Sequence, residues 1–484
     1  MNKVIIGLEI HAQLNTKTKM FCSCMVDFSS PPNSNICPTC LGLPGALPSL
    51  NEEVVLYALM IAKALNCEIN RKSLFHRKNY FYPDLPKGYQ ISQYDTPLAK
   101  EGFLKLPYID KKVRIIRVHI EEDTGKLIHP EDIMEANYSY VDYNRAGVPL
   151  VEIVTYPDLN SPEEAVKFLE ELREILVYLG VSTGNMEEGA LRCDANISIE
   201  GHNRCEVKNM NSFRSVKRAL EYEIKRHIDL ISKGEEIVQE TRHFNESDGK
   251  TYSMRGKEEA EDYRYFPDPD LPPIIISDDL LNRAISNIKE LPNDIREKLK
   301  GYSLSKNEIE TYVSMKDLRE FFFEVLKTFP KPRVVTNFLL TDVLGILNEK
   351  NISKPPFSPV DFGKATDMFY KKEISSKILK RIIELLFEGK TLEYIINNEN
   401  ILPITSKEEI RKIVLEVLDE NIKVKEDFKK GKEKTLTFLI GQAMAKGKGR
   451  LNPDILKDVL LEELNRWVLF IYMCTLNIHF LMVF

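Results

Sequence analysis

The first residues whose types and spacing could do chemistry lie in Val4-Ile-Ile-Gly-Leu-Glu-Ile-His-Ala-Gln-Leu14, where a carboxylate and an imidazole stand two positions apart. On a strand, side chains alternate between faces. Val4, Ile6, Leu8, Ile10 and Ala12 then share one face, and Gly7, Glu9, His11 and Gln13 the other. A buried apolar face would fix such a strand, and a fixed strand can aim Glu9 and His11 at a cation or a phosphate. A half-exposed strand with two solvated polar groups is the plain alternative. Glu152 is harder to dismiss. It sits in Val148-Pro-Leu-Val-Glu-Ile-Val-Thr155, apolar on both sides, and a carboxylate on a buried strand needs a partner or a metal. Glu121, Glu122 and Asp123 follow the strand pattern Val113–Ile120, and three adjacent acids repel unless a cation or bases lie near. A solvated turn would also accommodate them.

Two further groups carry chemistry. Cys22-Ser-Cys24 and Cys37-Pro-Thr-Cys40 are two thiol pairs separated by twelve residues. That spacing suits a closed tetrahedral zinc site, structural because no position is left open; four reduced thiols are the alternative. Leu191-Arg-Cys-Asp-Ala-Asn-Ile-Ser-Ile199 alternates cleanly and, after Gly201-His-Asn203, returns through Arg204 to Lys208. A face carrying Arg192, Asp194, Glu206 and Lys208 is either a cross-strand charge lattice or a nucleotide site with its metal.

The elements that must position these groups come next. Glu52 to Leu65, Ser161 to Gly180 and Ser212 to Ile231 have helical apolar spacing, the second with a serine cap, a first-turn proline and a closing glycine. His76 to Asp84, Thr241 to Asn245 and Asp262 to Asp270 mix bases with aromatics, as sites for anionic or planar groups do. Prolines 267, 269, 272 and 273 mark the edge of a first domain. From about Leu291 the texture is short amphipathic helices, broken at Lys354-Pro-Pro-Phe-Ser-Pro359. Residues 421–450 hold nine Lys/Arg against three acids, with Lys429, Lys430, Lys432, Lys446, Lys448 and Arg450 among them. This block is a candidate phosphodiester contact or a solvated helix face.

The chain has 43% hydrophobic and 29% charged residues and a formal net charge of −6, which excludes a protein basic all over. No charged-then-apolar segment opens it, so a cytoplasmic protein is expected. The apolar stretch after Arg466 is interrupted by Asn477 and His479 and lacks a basic flank, so no membrane anchor is expected. We expect there a replaced or read-through terminus that packs on the tail or aggregates. There is no phosphate-binding glycine loop: Asp248-Gly-Lys-Thr251 has its end, but Phe244 stands in place of the first glycine. ATP use would therefore need a sheet-borne acid and metal site. Nor is there an amidase stretch, so any ammonia must come from another subunit.

Gly7-Leu-Glu-Ile-His11, Arg77-Lys-Asn-Tyr-Phe-Tyr-Pro-Asp84, His119-Ile-Glu-Glu-Asp123, Met186 to Asn196, Asp262-Tyr-Arg-Tyr-Phe-Pro267, Phe438-Leu-Ile-Gly-Gln442 and Lys448-Gly-Arg-Leu-Asn-Pro453 closely resemble the GatB family of aspartyl/glutamyl-tRNA amidotransferase subunits. The resemblance covers roughly residues 3–464. It implies an α+β fold: an antiparallel-sheet, glutamine-synthetase-like cradle over 1–290 with the four-cysteine zinc knuckle (22–40), an all-α domain over 291–405, and a YqeY-like tRNA-binding tail over 406–464. Residues 465–484 have no counterpart.

By resemblance, the chain uses ATP to phosphorylate the side-chain carboxylate of Glu on misacylated tRNA-Gln or of Asp on misacylated tRNA-Asn. Ammonia channelled from an amidase subunit, with a small third subunit joining the two, then displaces the phosphate. The family's Mg2+ ligands fall on Glu9, His11, Glu122 and Glu152, and Lys78 would line the ammonia path with Glu122. Glu122 has the parity of Val118 and Ile120, so it joins that set only if the strand ends or bulges before Glu121. Arg192 and Asp194 are placed on the nucleotide side. Phe338 stands where the family leads one to expect tryptophan. Two other readings are a non-catalytic, zinc-stapled tRNA-binding scaffold and a carboxylate–amine ligase acting on a free small acid.

Overall fold

The computed structural model describes residues 3–129, 138–256, 260–398, 404, 406–429, 434–447 and 449–481. The chain divides into two compact units, Met1–Asp294 and Ile295–Phe484.

The first unit is built on a nine-stranded sheet whose middle strand is Val4–Gln13. Across the sheet the order is Lys250–Gly256, Glu240–Asn245, Cys205–Met210, Leu191–Ile199, Val4–Gln13, Pro149–Thr155, Lys112–Glu122, Ala99–Lys105 and Glu68–Ile69. Neighbours are antiparallel except Cys205–Met210 and Glu240–Asn245, which run parallel. The alternation read from the sequence fixes the two faces. Ile6, Leu8, Ile10, Val118, Ile153, Ala195 and Val207 are buried in one core with the helices Glu52–Ala64, Pro162–Leu179 and Phe213–Lys233. Burying each large aliphatic contributes about 1.5–3 kcal/mol, so this face locks the strands in register. The other face is polar.

The helix boundaries have the causes the sequence suggested. Ser161 accepts the amide of Glu164, Pro162 opens the first turn, and Gly180 ends the helix at φ +72°, a left-handed conformation that a side chain disfavours. Where the Ala99–Lys105 strand stops pairing at Val118, Gln93 takes over: its Oε1 accepts from the Ile120 amide at 3.1 Å and the Leu98 amide at 3.2 Å. A smaller sheet of Phe266–Pro267, His76–Asn79 and Tyr89–Ser92 borders the main one there.

The regular elements described in the second unit are all helices. The proline break near 354–359 is not a free linker, because Phe357 packs edge-on to Phe321 at 5.5 Å and to Phe387 at 5.0 Å. Phe338 is buried 4.9 Å from the Phe369 ring and fills a core position. The tail has its own core of Ile410, Val414, Leu439, Leu456 and Leu460. Pro453–Leu481 forms one helix, and among the described residues no helix is long and apolar enough to cross a membrane.

Candidate active site and metal centre

Antiparallel partners share a face, so the polar face can be read as transverse rows. One row runs His119, Glu152, His11, Arg192 across four strands. The row beside it runs Arg117, Val154, Glu9, Asp194, and Lys208 donates to Asp194 Oδ2 at 2.5 Å from the next strand. The sheet thus gathers groups from five strands, drawn from positions as far apart in sequence as Glu9 and Lys208.

At the middle of the first row, His11 Nε2 lies 3.4 Å from Glu121 Oε1 and 3.5 Å from Glu152 Oε2. One donor atom from each of these three residues falls within 4.8 Å of the others, a spacing a single cation can bridge. Ser92 Oγ donates to Glu121 at 3.0 Å and fixes it. Burial alone would lower the basicity of His11, but the facing charges of Glu152, Glu121 and Asp194 outweigh it and raise its pKa to about 9. Burial likewise works against ionising Glu152, yet His119 and His11 hold it well below the usual carboxylate range.

The structure corrects two expectations from sequence. The one register shift of this strand against Pro149–Thr155 lies earlier, between Ile115 and Arg117; from Arg117 the pairing keeps one register to Glu122, which pairs with Pro149. Parity therefore sends Glu121 to the His11 cluster and turns Glu122 away. Glu122 is buried against Lys87, and its Oε1 accepts from the Ile91 amide at 2.9 Å. The lysine that meets Glu122 is thus Lys87. Lys78 lies over the rings of Tyr263, at 4.7 Å, and Tyr80, at 5.8 Å. It has the opposite parity to Arg77 and Asn79, which bind the 263–270 segment through Asp268, Asp270 and the carbonyls of Tyr263 and Arg264.

Glu9 also stands outside the tight cluster. It accepts from Asn196 Nδ2 at 2.8 Å, one row towards Asp194. Arg192 donates to Asp123 Oδ2 at 2.8 Å, and Lys208 bridges Asp194 and Glu206, the latter at 3.2 Å. Lys87 and His119 are site residues that residue type and spacing did not single out, and Glu121 was marked only as one of three adjacent acids. The shared parity of 119 and 121 was the signal available.

The four cysteines meet as their spacing requires. Cys22, Cys37 and Cys24 place Sγ 3.4, 3.5 and 3.7 Å from Cys40 Sγ. Thiolates about 2.3 Å from zinc occupy a tetrahedron with edges of about 3.8 Å, so the set is close to ligating geometry. Lys19, fully buried, directs Nζ at Cys40 Sγ from 3.6 Å. Hydrogen bonding from Cys22, and Lys19 after it, bring the Cys40 pKa to about 4 against the effect of burial. In the tail, Lys446 is paired with Glu416 at 3.1 Å and Glu420 at 2.5 Å. Lys429 ends the helix Ile422–Lys429, and Arg450 accepts the Ile404 amide at 2.8 Å through its carbonyl. Lys430, Lys432 and Lys448 lie outside the described residues.

The chain matches the GatB/GatE catalytic domain over residues 4–282 and the GatB domain over residues 320–464. The carboxylate-lined sheet and the helical region following it are thus those of a GatB-type protein. The GatB subunit of the aspartyl/glutamyl-tRNA(Asn/Gln) amidotransferase of Thermotoga maritima is 48% identical over 470 residues, 94% of this chain and 98% of that one. The corresponding subunits of Carboxydothermus hydrogenoformans and Persephonella marina are 46% and 45% identical, over 96% and 95% of this chain and 98% and 99% of their own. The chain belongs to the GatB family of aspartyl/glutamyl-tRNA(Asn/Gln) amidotransferase subunits.

Proposed function

We propose that this protein is the carboxylate-activating subunit of a tRNA-dependent amidotransferase, a ligase that forms a carbon–nitrogen bond. It transfers the γ-phosphoryl group of ATP to the side-chain carboxylate of Glu on tRNA-Gln or of Asp on tRNA-Asn. The carboxylate oxygen attacks phosphorus and ADP leaves. Ammonia then attacks the acyl carbon and phosphate leaves, giving Gln-tRNA-Gln or Asn-tRNA-Asn. The observation that carries this reading is the convergence of His11, Glu121 and Glu152 on the open face of the sheet.

His11, Glu121 and Glu152 would hold Mg2+, with Glu9 one row away beside Asp194. When bound, the ion neutralises charge between the phosphates and the attacking carboxylate. Asp194, Glu206, Lys208 and Arg192 form the nucleotide side, where Lys208 orients two carboxylates and Asp123 fixes Arg192. Lys87, Glu122 and Lys78 line the path by which ammonia arrives from an amidase subunit, with a small third subunit joining the complex. The four-cysteine knuckle holds structural Zn2+. The domain order is a glutamine-synthetase-like cradle (1–290), a helical domain (291–405), a YqeY-like tail (406–464) that holds tRNA with the basic stretch containing Lys429, Lys446 and Arg450, and an apolar extension (465–484). The protein works in the cytoplasm.

Glu152→Gln in the reconstituted complex tests the assignment. ATP hydrolysis stimulated by Glu-tRNA should fall at least 100-fold, and survival near the wild-type rate would remove the catalytic role. Deleting 406–464 should raise the apparent KM for charged tRNA; a ligase for a free small acid would be indifferent to it.

A further inference from the structure

Arg117 is the cation on this face that the proposed phosphoryl transfer leaves unused. It shares the row of Glu9 and Asp194, two positions along its strand from His119. It is half-buried, and its Nε is shut off from solvent with no hydrogen-bond partner among the described residues. The other arginines around the site are engaged: Arg192 and Arg145 by Asp123, Arg77 by Asp268 and Asp270, Arg114 by Asp158. Among the described residues no carboxylate lies within ion-pair distance of Arg117. A desolvated guanidinium donor without an acceptor is costly unless an acceptor arrives.

What surrounds Arg117 narrows the acceptor. Tyr265 lies within electrostatic reach of Glu121, Glu152 and Arg117. Its ring stacks on Tyr94, centroids 4.3 Å apart and planes 6° from parallel, and Tyr94 is 40% exposed. Tyr263 meets Tyr265 edge-on at 6.1 Å and carries Lys78 on its face. A guanidinium within electrostatic reach of a stacked tyrosine pair supplies the two elements that take a nucleotide at the end of a single strand, phosphate on one and base on the other. Position argues the same way. Lys208 and Arg117 are four strand spacings apart, roughly 19 Å, with Glu9 between them in the same row. If the ATP lies on the Lys208 side, the second substrate reaches the centre from the Arg117 side.

We propose that Arg117 and the Tyr94–Tyr265 pair form the subsite for the 3′-terminal nucleotide of the aminoacyl-RNA, the guanidinium on its phosphate and the rings against its base. This rests on the two-substrate ligase reading and adds to it the place where the RNA end is held. The γ-phosphoryl of ATP is the rival source of the same phosphate chemistry, and the test separates the two.

In the complete amidotransferase, Arg117→Gln and Tyr94→Leu are compared with wild type for KM towards Glu-tRNA-Gln, and for equilibrium affinity towards MgATP alone. The subsite predicts a KM raised roughly 5- to 150-fold in each variant with the MgATP affinity within twofold of wild type. It also predicts that Arg117→Gln lowers the slope of log KM against log salt by about 0.7, the share of one single-strand phosphate. Weakened MgATP binding with unchanged KM for RNA would assign Arg117 to the nucleotide, and no change in either would overturn the subsite. Should Arg117→Gln fail to fold, Tyr94→Leu at a partly exposed ring carries the comparison. A wild-type complex without RNA-stimulated ATP hydrolysis would instead sink the ligase reading, whatever the variants do.

Discussion

His119 and His11 share one oxygen of Glu152: their Nε2 atoms lie 3.0 and 3.5 Å from its Oε2. His119 is 2% exposed and belongs to the strand beyond Glu152, so it holds the carboxylate from behind while His11 faces it from the centre. Groups that orient a ligand typically change metal affinity or activity about 10- to 100-fold when removed. His119→Ala should therefore lower RNA-dependent ATP hydrolysis within that range and raise the Mg2+ concentration needed for half-maximal rate. High Mg2+ should restore much of the loss. An Mg2+ titration that overlays on wild type would mean that Glu152 needs no such support.

The Lys87–Glu122 pair is buried on both sides, and Lys87 also lies 5.5 Å from the Tyr89 ring centre. Removing one member of such a pair leaves an uncompensated buried charge, which costs about 3–5 kcal/mol. Lys87→Met should lower stability to urea by that order. Lys87→Met with Glu122→Gln should recover most of it, because the charge left behind is removed too. If the double variant is no better than the single one, the lysine acts through packing alone.

How much of this could be read from the residues follows from what a strand pattern does and does not determine. Glu152 was legible because apolar residues on both sides demanded a reason for a carboxylate. The cysteine quartet was legible from its spacing, and the helix from Ser161 to Gly180 from its caps. The choice between Glu121 and Glu122 was not, since it turns on whether the strand ends one residue earlier, which its pairing with Pro149–Thr155 decides. The family pattern favours Glu122; the alternation of His119 with Glu121 favours the other. Lys87 lies in a loop, where no period links it to a strand 35 residues away. Arg117 was not legible, because a guanidinium Nε left without an acceptor among the described residues shows only in the folded sheet.

Lys19 stands to Cys40 as a charge partner, fully buried with Nζ 3.6 Å from the sulfur. Four thiolates around a divalent zinc leave an excess of two negative charges, and a buried ammonium offsets part of it. Purified protein should carry one zinc per chain, lost in Cys37→Ser. Lys19→Met should keep the metal but release it about tenfold more readily to a competing chromogenic chelator. Release as slow as in wild type would confine Lys19 to its other contact, the Tyr143 carbonyl at 3.1 Å.

Glu223 allows a test of pH dependence away from the site. It is fully buried on the helix Phe213–Lys233, beside Arg226 at 2.8 Å, His227 at 3.2 Å and Arg242 at 3.3 Å. Burial raises its pKa, but the His227 imidazole beside it and the hydrogen bonds from Arg226 and Thr251 prevail and bring it to about 2, below an ordinary 4.5. A carboxylate depressed on folding binds its proton more readily when unfolded. Its contribution is therefore complete above about pH 4.5 and disappears as the pH falls towards 2, and a depression of this size corresponds to about 3 kcal/mol. Glu223→Gln should lower stability at about pH 7 and flatten the fall between about pH 4.5 and 2, as measured by urea unfolding at each pH. Wild type and variant losing stability in parallel over that window would show that Glu223 titrates alike in the folded and unfolded chain.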